Sequence, residues 1–418
     1  MSTGISSTND DILIIGAGIG GLTLGLMLHR RGIPCRVFEA APEIKPLGVG
    51  INLLPHAMKE MAALGLEDTL AARGVRTQEA AFYNRFGQLI HKEPLGRAAG
   101  YDWPQISIHR GELHQVLLDA FVKEAGPERL LLGWQCVRVE ENGAAFFERA
   151  QTREALPPQR GRAVIGADGI HSVIRKQLYP DEGEPIYSGV NMWRGVTRWP
   201  AILAVPTMIR VGWFTHAKIV IYPIRDDIDA EHRQLVNWVV EIETAKYERW
   251  NWARPAKLED FIGPIEDWHF DWLDVPRFIR AADVMLEYPM VDKDPLPRWS
   301  FGRLTLLGDA AHPMYPRGSN GAGQAILDAR ALADCLATSP DEAEAALRGY
   351  EERRLEATAK VVRTNRTTPP DWILGEVHKR TGDKPFKSID DVISREELLA
   401  ITDAYKRVAG YEKEKLRP

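Results

Sequence analysis

The residues of this chain best suited to grip a ligand form two short sets. The first is Gly16, Gly18, Gly20 and Gly21, which follow the run Ile12-Leu13-Ile14-Ile15, with Glu39 eighteen positions beyond Gly21. An unbroken apolar run is what a strand buried on both faces requires. Gly16 lets the chain turn tightly, Gly18 lets the backbone approach a pyrophosphate, and Gly21 lets the next helix pack on the strand. Ile19 opens that helix, whose free amides and positive dipole end suit phosphates. The strand Cys35-Arg36-Val37-Phe38 then delivers Glu39, with Ala40 beside it; the carboxylate can accept hydrogen bonds from an unphosphorylated ribose. The second set is Leu304-Thr305-Leu306-Leu307-Gly308-Asp309-Ala310-Ala311-His312-Pro313. The first set alone specifies a dinucleotide. The pair points to FAD, held for chemistry on another molecule.

These sets must be positioned by a large scaffold. With 418 residues the chain can bury an extensive core and is expected to hold two domains and a tail. A net charge of −5 gives no reason to expect nucleic acid. Cys35, Cys136 and Cys335 are scattered and odd in number, which fits a reducing compartment and no metal site. Ile12 to Leu28 is uncharged over 17 residues, at the lower edge of a membrane span. Its glycines concentrate at one turn and its start reads as a strand, so no membrane is expected. The polar leader Met1 to Asp10 lacks signal-peptide character, so the expected location is cytoplasmic. Most of the twelve tryptophans fall between Trp193 and Trp299, which marks a middle region of different character.

Periodicity predicts a helix near His56 to Leu64, hairpin strands between Val75 and Gln105, and an amphipathic helix over Arg110 to Ala125. Short strands follow at Val137 to Glu140 and Ala163 to Gly166. The segment from Tyr187 to Glu243 is strand-rich and reads as a separate sheet. Leu304 to Leu307 then resumes the first domain. Helices are predicted from Gly321 to Ala337 and from Glu342 to Arg363, the second ended by Pro369-Pro370. Ser394 and Glu397 stand at capping-box spacing, so the tail should be helical.

A third motif, Gly166-Ala167-Asp168-Gly169-Ile170-His171-Ser172-Val173-Ile174-Arg175, completes a set of three. In this order the three resemble the FAD-dependent aromatic hydroxylases of the para-hydroxybenzoate hydroxylase type, over about residues 10 to 365. Within that family the chain is similar to the phenazine-hydroxylating enzymes. The segments that carry this are Pro46-Leu47-Gly48-Val49-Gly50-Ile51-Asn52, Ser107-Ile108-His109-Arg110-Gly111-Glu112-Leu113, Met192-Trp193-Arg194-Gly195-Val196-Thr197 and Tyr288-Pro289-Met290-Val291-Asp292. The resemblance implies an α/β fold: a Rossmann-like FAD-binding domain with an inserted mixed-sheet substrate domain and a C-terminal helical tail. The expected division assigns 1–75, 106–184 and 286–365 to FAD binding, 76–105 and 185–285 to substrate, and 366–418 to the tail.

The resemblance further implies that Asp309 bonds the ribitol chain of FAD, that Arg110 reaches the flavin chain or pyrophosphate, and that Val137 offers backbone contacts to adenine. Asp168, with Arg175, would support the glycine turns around the pyrophosphate. Val49 would lie at the cofactor, and the loop Pro316 to Ala322 beside the flavin ring. The helix opening at Gly321 and Ala322 would aim its amides at the pyrimidine edge. Such an enzyme reduces FAD with NADH or NADPH and adds dioxygen to form a flavin hydroperoxide. It then hydroxylates a small aromatic or N-heteroaromatic ring without a metal or a side-chain nucleophile. Partners would be the aromatic substrate, dioxygen and the nicotinamide, in a monomer or homodimer.

His312 and His109 read as scaffold rather than base. Trp193, Trp213 and Trp238 read as core. Arg194, Tyr222, Tyr315 and Arg317 are the expected substrate-pocket residues. Arg317 departs from the apolar residue expected of phenazine-type enzymes. Facing the pocket, it would suit an anionic substrate. Two rivals share the fold: an FAD-dependent dehydrogenase without oxygenation, and a non-catalytic flavin-fold binding protein.

Overall fold

The computed structural model describes residues 10–45, 48–245 and 254–416. Pro46 and Leu47, quoted above in the resemblance, and the leader up to Asn9 lie outside the described residues.

Five parallel strands carry the nucleotide-binding glycines. Their order is Leu304–Leu306, Ala163–Gly166, Ile12–Ile15, Cys35–Glu39, Leu130–Leu132. Ile12, Leu13 and Ile14 are fully buried, as their run of apolar residues demands. Pairing sets Ile15 beside Gly166, and Gly166 beside Leu306, so the three glycine motifs leave adjacent strands at the same edge. Ligands bind at this carboxyl edge of open parallel sheets. The helices Ile19–Arg30, Arg110–Ala125 and Gly321–Thr338 pack around the sheet. The reading of Arg110 to Ala125 as a helix matches its observed limits.

A second, mixed sheet of eight strands faces this edge. Its order is Arg254–Pro255, Ala282–Asp292, Ile186–Trp199, Gln234–Glu243, Ala217–Arg225, Thr207–Trp213, Glu79–Tyr83, Leu89–Pro94. Every pair is antiparallel except Thr207–Trp213 with Glu79–Tyr83. One face packs Trp193, Trp238 and Ile219 against Phe261, Trp268 and Phe278 to make a separate aromatic core. The other face lines the cavity described below.

The chain after residue 365 is helical and folds back onto both units. Its helices are Trp372–Thr381 and Arg395–Ala409. The Ser394–Glu397 capping box forms as predicted. Ile373, Leu374, Val377 and Leu398 bury themselves against Ala80, Phe82 and Ile90 of the eight-stranded sheet. Among the described residues no helix is long and apolar enough to cross a membrane.

Candidate active site

A cavity of about 510 Å³ runs from the glycine edge of the parallel sheet to the open face of the mixed sheet. At one end are Gly18, Ile19, Gly20, Val49, Arg110 and Asp309, with Gly321 and Ala322 opening a helix into it. At the other are Arg194, Arg210, Tyr222, Glu241 and Asp371. Residues from the two ends of the sequence thus share one space.

The glycine turn is built as its spacing implies. Gly16 has φ +110°, and a Cβ there would lie 2.4 Å from the Ala167 carbonyl oxygen. A Cβ on Gly21 would lie 2.0 Å from the Gly16 oxygen, so both glycines are demanded by packing. Gly18 differs: a Cβ there would meet nothing within 4 Å. The space beside its backbone is open, as a close-approaching phosphate needs. The Glu39 carboxylate accepts from the Ala17 amide at 2.9 Å and the Ala41 amide at 2.8 Å. That fixes its direction and leaves lone pairs for sugar hydroxyls. Ala40 is exposed alongside.

Asp309 reaches the cavity and has no hydrogen-bond partner among the described residues. It is exposed only to the cavity. Protein surrounds it otherwise, and this burial pushes its carboxyl above the usual range against the pull of His312 and Arg110. An unpartnered acceptor facing the cavity fits a polyol chain. Beneath it, the Asp328 carboxylate holds the turn. It accepts from the Gly308 amide at 3.1 Å and the Arg354 Nε at 2.7 Å, and it pairs with His312 Nε2 at 2.5 Å. His312 is buried in this support and does not line the cavity, in keeping with a scaffold role.

Asp168 does not line the cavity. Its carboxylate accepts from Ser172 Oγ at 2.6 Å and the Val173 amide at 2.9 Å, which orients Ser172, the N-cap of the helix Val173–Leu178. That helix places Arg175, 1% exposed, so that its Nη1 donates to the Ala310 and Ala311 carbonyls at 3.1 and 2.8 Å. Arg175 therefore ties the second glycine-acid motif to the third. Val137 is exposed on an open depression shared with Val173, Lys176 and Gln177, apart from the main cavity.

At the substrate end two of the expected pocket residues, Arg317 and Tyr315, stand off the cavity wall. The Arg317 guanidinium lies over Phe214, 4.6 Å from the ring centroid, and over Tyr315 at 5.5 Å. Nη1 reaches the Asn365 carbonyl at 3.4 Å. The two aromatic faces attract the cation, and its Nε, like that of Arg194, has no hydrogen-bond partner among the described residues. Tyr315 stands behind Met192 and Val239 in the same cluster and does not line the cavity either.

Arg194 occupies the position expected of Arg317. It is half-buried on the cavity wall, 5.8 Å from the Tyr288 ring centroid. Its Nη2 makes one long bond, 3.3 Å, to the Gly50 carbonyl, and its Nε has no partner. No carboxylate of the described residues forms an ion pair with it. Tyr222 lies beside it; burial pushes its phenol upward against the opposing pull of Arg194 and Asn52 at its hydroxyl. Gly50 is squeezed between them: a Cβ would lie 2.7 Å from Asn237 and 2.8 Å from Tyr222, and its amide donates to Asn237 Oδ1 at 2.7 Å. Arg210, Lys218, Glu241 and Asp371 were not foreseen. Counting back by twos from Tyr222 reaches Lys218 on the same face, which was the available signal.

The FAD binding domain family matches residues 9–239 and 288–365. The phenazine 1,6-dicarboxylic acid hydroxylase of Lysobacter antibioticus is 39% identical over 96% of this chain and 98% of its own length. The 3-amino-4-hydroxybenzoate 2-monooxygenase of Streptomyces cremeus is 34% identical over 87% of this chain and 88% of its own. A solved structure of Klebsiella pneumoniae HpxO with FAD and uric acid superposes with a TM-score of 0.70 over 98% of this chain and 96% of that one, at 22% identity.

Proposed function

The chain belongs to the FAD binding domain family, and from that membership we propose how its own residues serve the reaction. It is an FAD-dependent aromatic-ring monooxygenase that uses NADH or NADPH and dioxygen on a small aromatic substrate. When bound, FAD supplies the hydride acceptance and the oxygen activation. Everything else falls to side chains and backbone.

In this reading Gly18, Gly20 and the amides of the helix opened by Ile19 cradle the pyrophosphate, with Gly16 and Gly21 shaping the turn. Glu39 and Ala40 hold the ribose, and Val137 the adenine edge. Asp309 bonds the ribitol, Val49 and Arg110 flank the cofactor, and Asp168 steadies the motif through Arg175. Gly321 and Ala322 point a helix N-terminus at the pyrimidine edge, where negative charge grows on reduction. We keep the division of the chain into FAD-binding segments, inserted substrate segments and tail, with the strand Ala282–Asp292 of the eight-stranded sheet running across the 285/286 boundary. Three buried free cysteines suit a cytoplasmic enzyme, working as a monomer or homodimer.

The substrate is a small aromatic or N-heteroaromatic acid. The observation that carries this is Arg194, a cation in the cavity wall with no ion-pair partner and a bare Nε. A carboxylate or phenolate would complete it, while Tyr222 offers a hydroxyl and Met192 and Val239 exclude water.

Turnover of aromatic acids, pyridines, quinolines and phenazines under labelled dioxygen tests the function, with hydrogen peroxide measured alongside product. One labelled atom in the ring is expected. Label drawn from water, or NAD(P)H oxidation with no oxygenated product from any acid, overturns it. Glu39→Ala and Asp309→Ala should each lower FAD occupancy, and full occupancy in both would overturn the cofactor assignments.

A further inference from the structure

The cavity floor has two charged ends, and the tail sets the charge of one of them. Strand pairing places Arg194 opposite Val239, Val239 opposite Val220, and Val220 opposite Arg210. The four form one row across four strands. Three strand spacings separate the two arginines, about 14 Å between backbones. The aliphatic middle of the row suits the face of a flat ring system.

The ends differ in charge. Arg194 has no carboxylate partner among the described residues. Arg210 Nε pairs with Asp371 Oδ1 at 2.7 Å. The next row brings Lys218, 1% exposed, opposite Glu241, and their ion pair is 2.6 Å. Lys218 also pairs with Asp371. Arg210 and Lys218 are therefore each paired with a carboxylate, while Arg194 keeps its charge unpaired. Arg317 also acts on Asp371 but lies over Phe214 and does not line the cavity. Burial alone would push the Asp371 carboxyl up, but Lys218 and Arg210, with a smaller pull from Arg317, outweigh it and hold the group below its usual range.

Asp371 comes from the tail. It lies beyond residue 365, where the FAD binding domain match ends, and immediately before the helix Trp372–Thr381. That helix is anchored by Ile373, Leu374 and Val377 against the sheet. The tail thus delivers a single carboxylate to the substrate cavity, 3% exposed, between two buried cations.

We propose that Asp371 is a specificity-determining residue: by neutralising Arg210 and Lys218 it makes the cavity select aromatic monocarboxylates, held at Arg194, over dicarboxylates. The proposal rests on the reading of Arg194 as the anion anchor. The Arg210 end then accepts a neutral ring or a hydrogen-bonding substituent such as a hydroxyl or ring N–H. A second carboxylate there meets Asp371 and Glu241 and is repelled.

The test is ligand binding to the FAD-loaded enzyme, read from the flavin absorbance. Matched mono- and dicarboxylates of benzene, naphthalene and phenazine are compared, including phenazine-1-carboxylate and phenazine-1,6-dicarboxylate. The wild-type protein should prefer the monocarboxylate by tenfold or more. Asp371→Asn should shift that ratio at least tenfold toward the dicarboxylate. Arg210→Gln should shift it the other way, and supplies the answer should the first variant not fold. The double variant Arg210→Met/Asp371→Asn restores neutrality and should restore the wild-type ratio. A wild-type enzyme indifferent to the second carboxylate, or a ratio unmoved in both single variants, overturns the proposal. Arg194→Met is the separate control. If it leaves monocarboxylate binding unchanged, or if no monocarboxylate binds the wild type, the anchor reading itself falls and this inference with it.

Discussion

Neighbouring residues on the eight-stranded sheet have opposite surroundings. Trp193 is buried against Phe261, stacked at 5.4 Å, while Arg194 stands in the cavity wall. Trp238 is fully buried and donates from Nε1 to Thr197 Oγ1 at 3.0 Å, while Val239 faces the cavity. Ile219 and Ile221 fill the aromatic core, while Lys218, Val220 and Tyr222 look the other way. Strand residues alternate with period two, so a slip of one would turn Trp193 and Trp238 into the cavity and bring Arg194 into the aromatic core. Register is therefore held twice, by the volume of the aromatic side and by the ion pairs of the cavity side. The aromatic side should carry stability and the cavity side selectivity, which mutation can separate.

The largest expected effect is on the aromatic side. Trp238→Ala removes a fully buried ring that also limits Gly195, where a Cβ would lie 2.3 Å from it. The loss should be about 3–5 kcal/mol in urea denaturation. A loss below about 1 kcal/mol would break the comparison, because that face would then not be a packed core.

Next is the cavity side. Arg194→Met should raise the KM for an anionic substrate roughly ten- to a hundredfold, since a hydrogen bond to a charged group is worth about 1.5–3 kcal/mol. A neutral analogue should change little, and FAD content and urea midpoint should hold. Arg317→Met should affect charged and neutral substrates alike, because its guanidinium sits on Phe214 and Tyr315. The reverse result would return Arg317 to the pocket.

A third effect depends on pH and lies against the first turn of the helix Gly321–Thr338. His56 is 1% exposed, stacks on Tyr411 at 5.4 Å, and has no partner at either ring nitrogen. Burial, aided by Arg354, pushes its pKa down to about 3. A histidine lowered on folding contributes stability that is complete above its unfolded value, about 6.5, and lost as pH falls toward the folded one. Between pH 7 and pH 5 this costs about 2 kcal/mol. Denaturation of wild type and His56→Gln at both pH values should differ by that increment, and parallel pH profiles would show that His56 titrates freely.

The parallel-sheet half was legible because its signals are local. Ile12 to Ile15 reads as a buried strand from four consecutive side chains, and Gly16 and Gly21 collide with backbone only residues away or in the paired strand. The capping box of Ser394 and Glu397 is equally local. The substrate end was legible only in part. Arg194 and Tyr222 stand out as polar residues in apolar strands, but Arg317 could not be aimed from sequence, because Phe214 lies about a hundred positions away. Asp371 was invisible for the same reason: its partner Lys218 is 153 positions distant. The strands Ala144–Arg149 and Ala155–Arg160 were also missed. The second contains Pro157 and Pro158, which an edge strand tolerates but a propensity reading rejects.

The smallest effect probes whether the tail serves the cavity side only through Asp371. Tyr405, 1% exposed, donates to Asn365 Oδ1 at 2.7 Å and accepts from Asn320 Nδ2 at 3.0 Å. It presses on the loop between Pro316 and Gly321: Gly318 has φ +77°, and a Cβ there would lie 2.1 Å from the Tyr405 oxygen. Asn320 also precedes the helix aimed at the cofactor site. Tyr405→Phe keeps the ring and removes only the hydroxyl, so about 1 kcal/mol of stability should go. The KM for an anionic substrate should change less than twofold, because Arg194 is untouched. The loop, however, loses the bond that fixes Asn320, and water should enter more readily. More hydrogen peroxide per NAD(P)H consumed, with substrate affinity intact, is the expected signature. A changed KM with unchanged peroxide yield would mean that the tail shapes the substrate end alone, and that the loop is held by Gly318 and its own backbone.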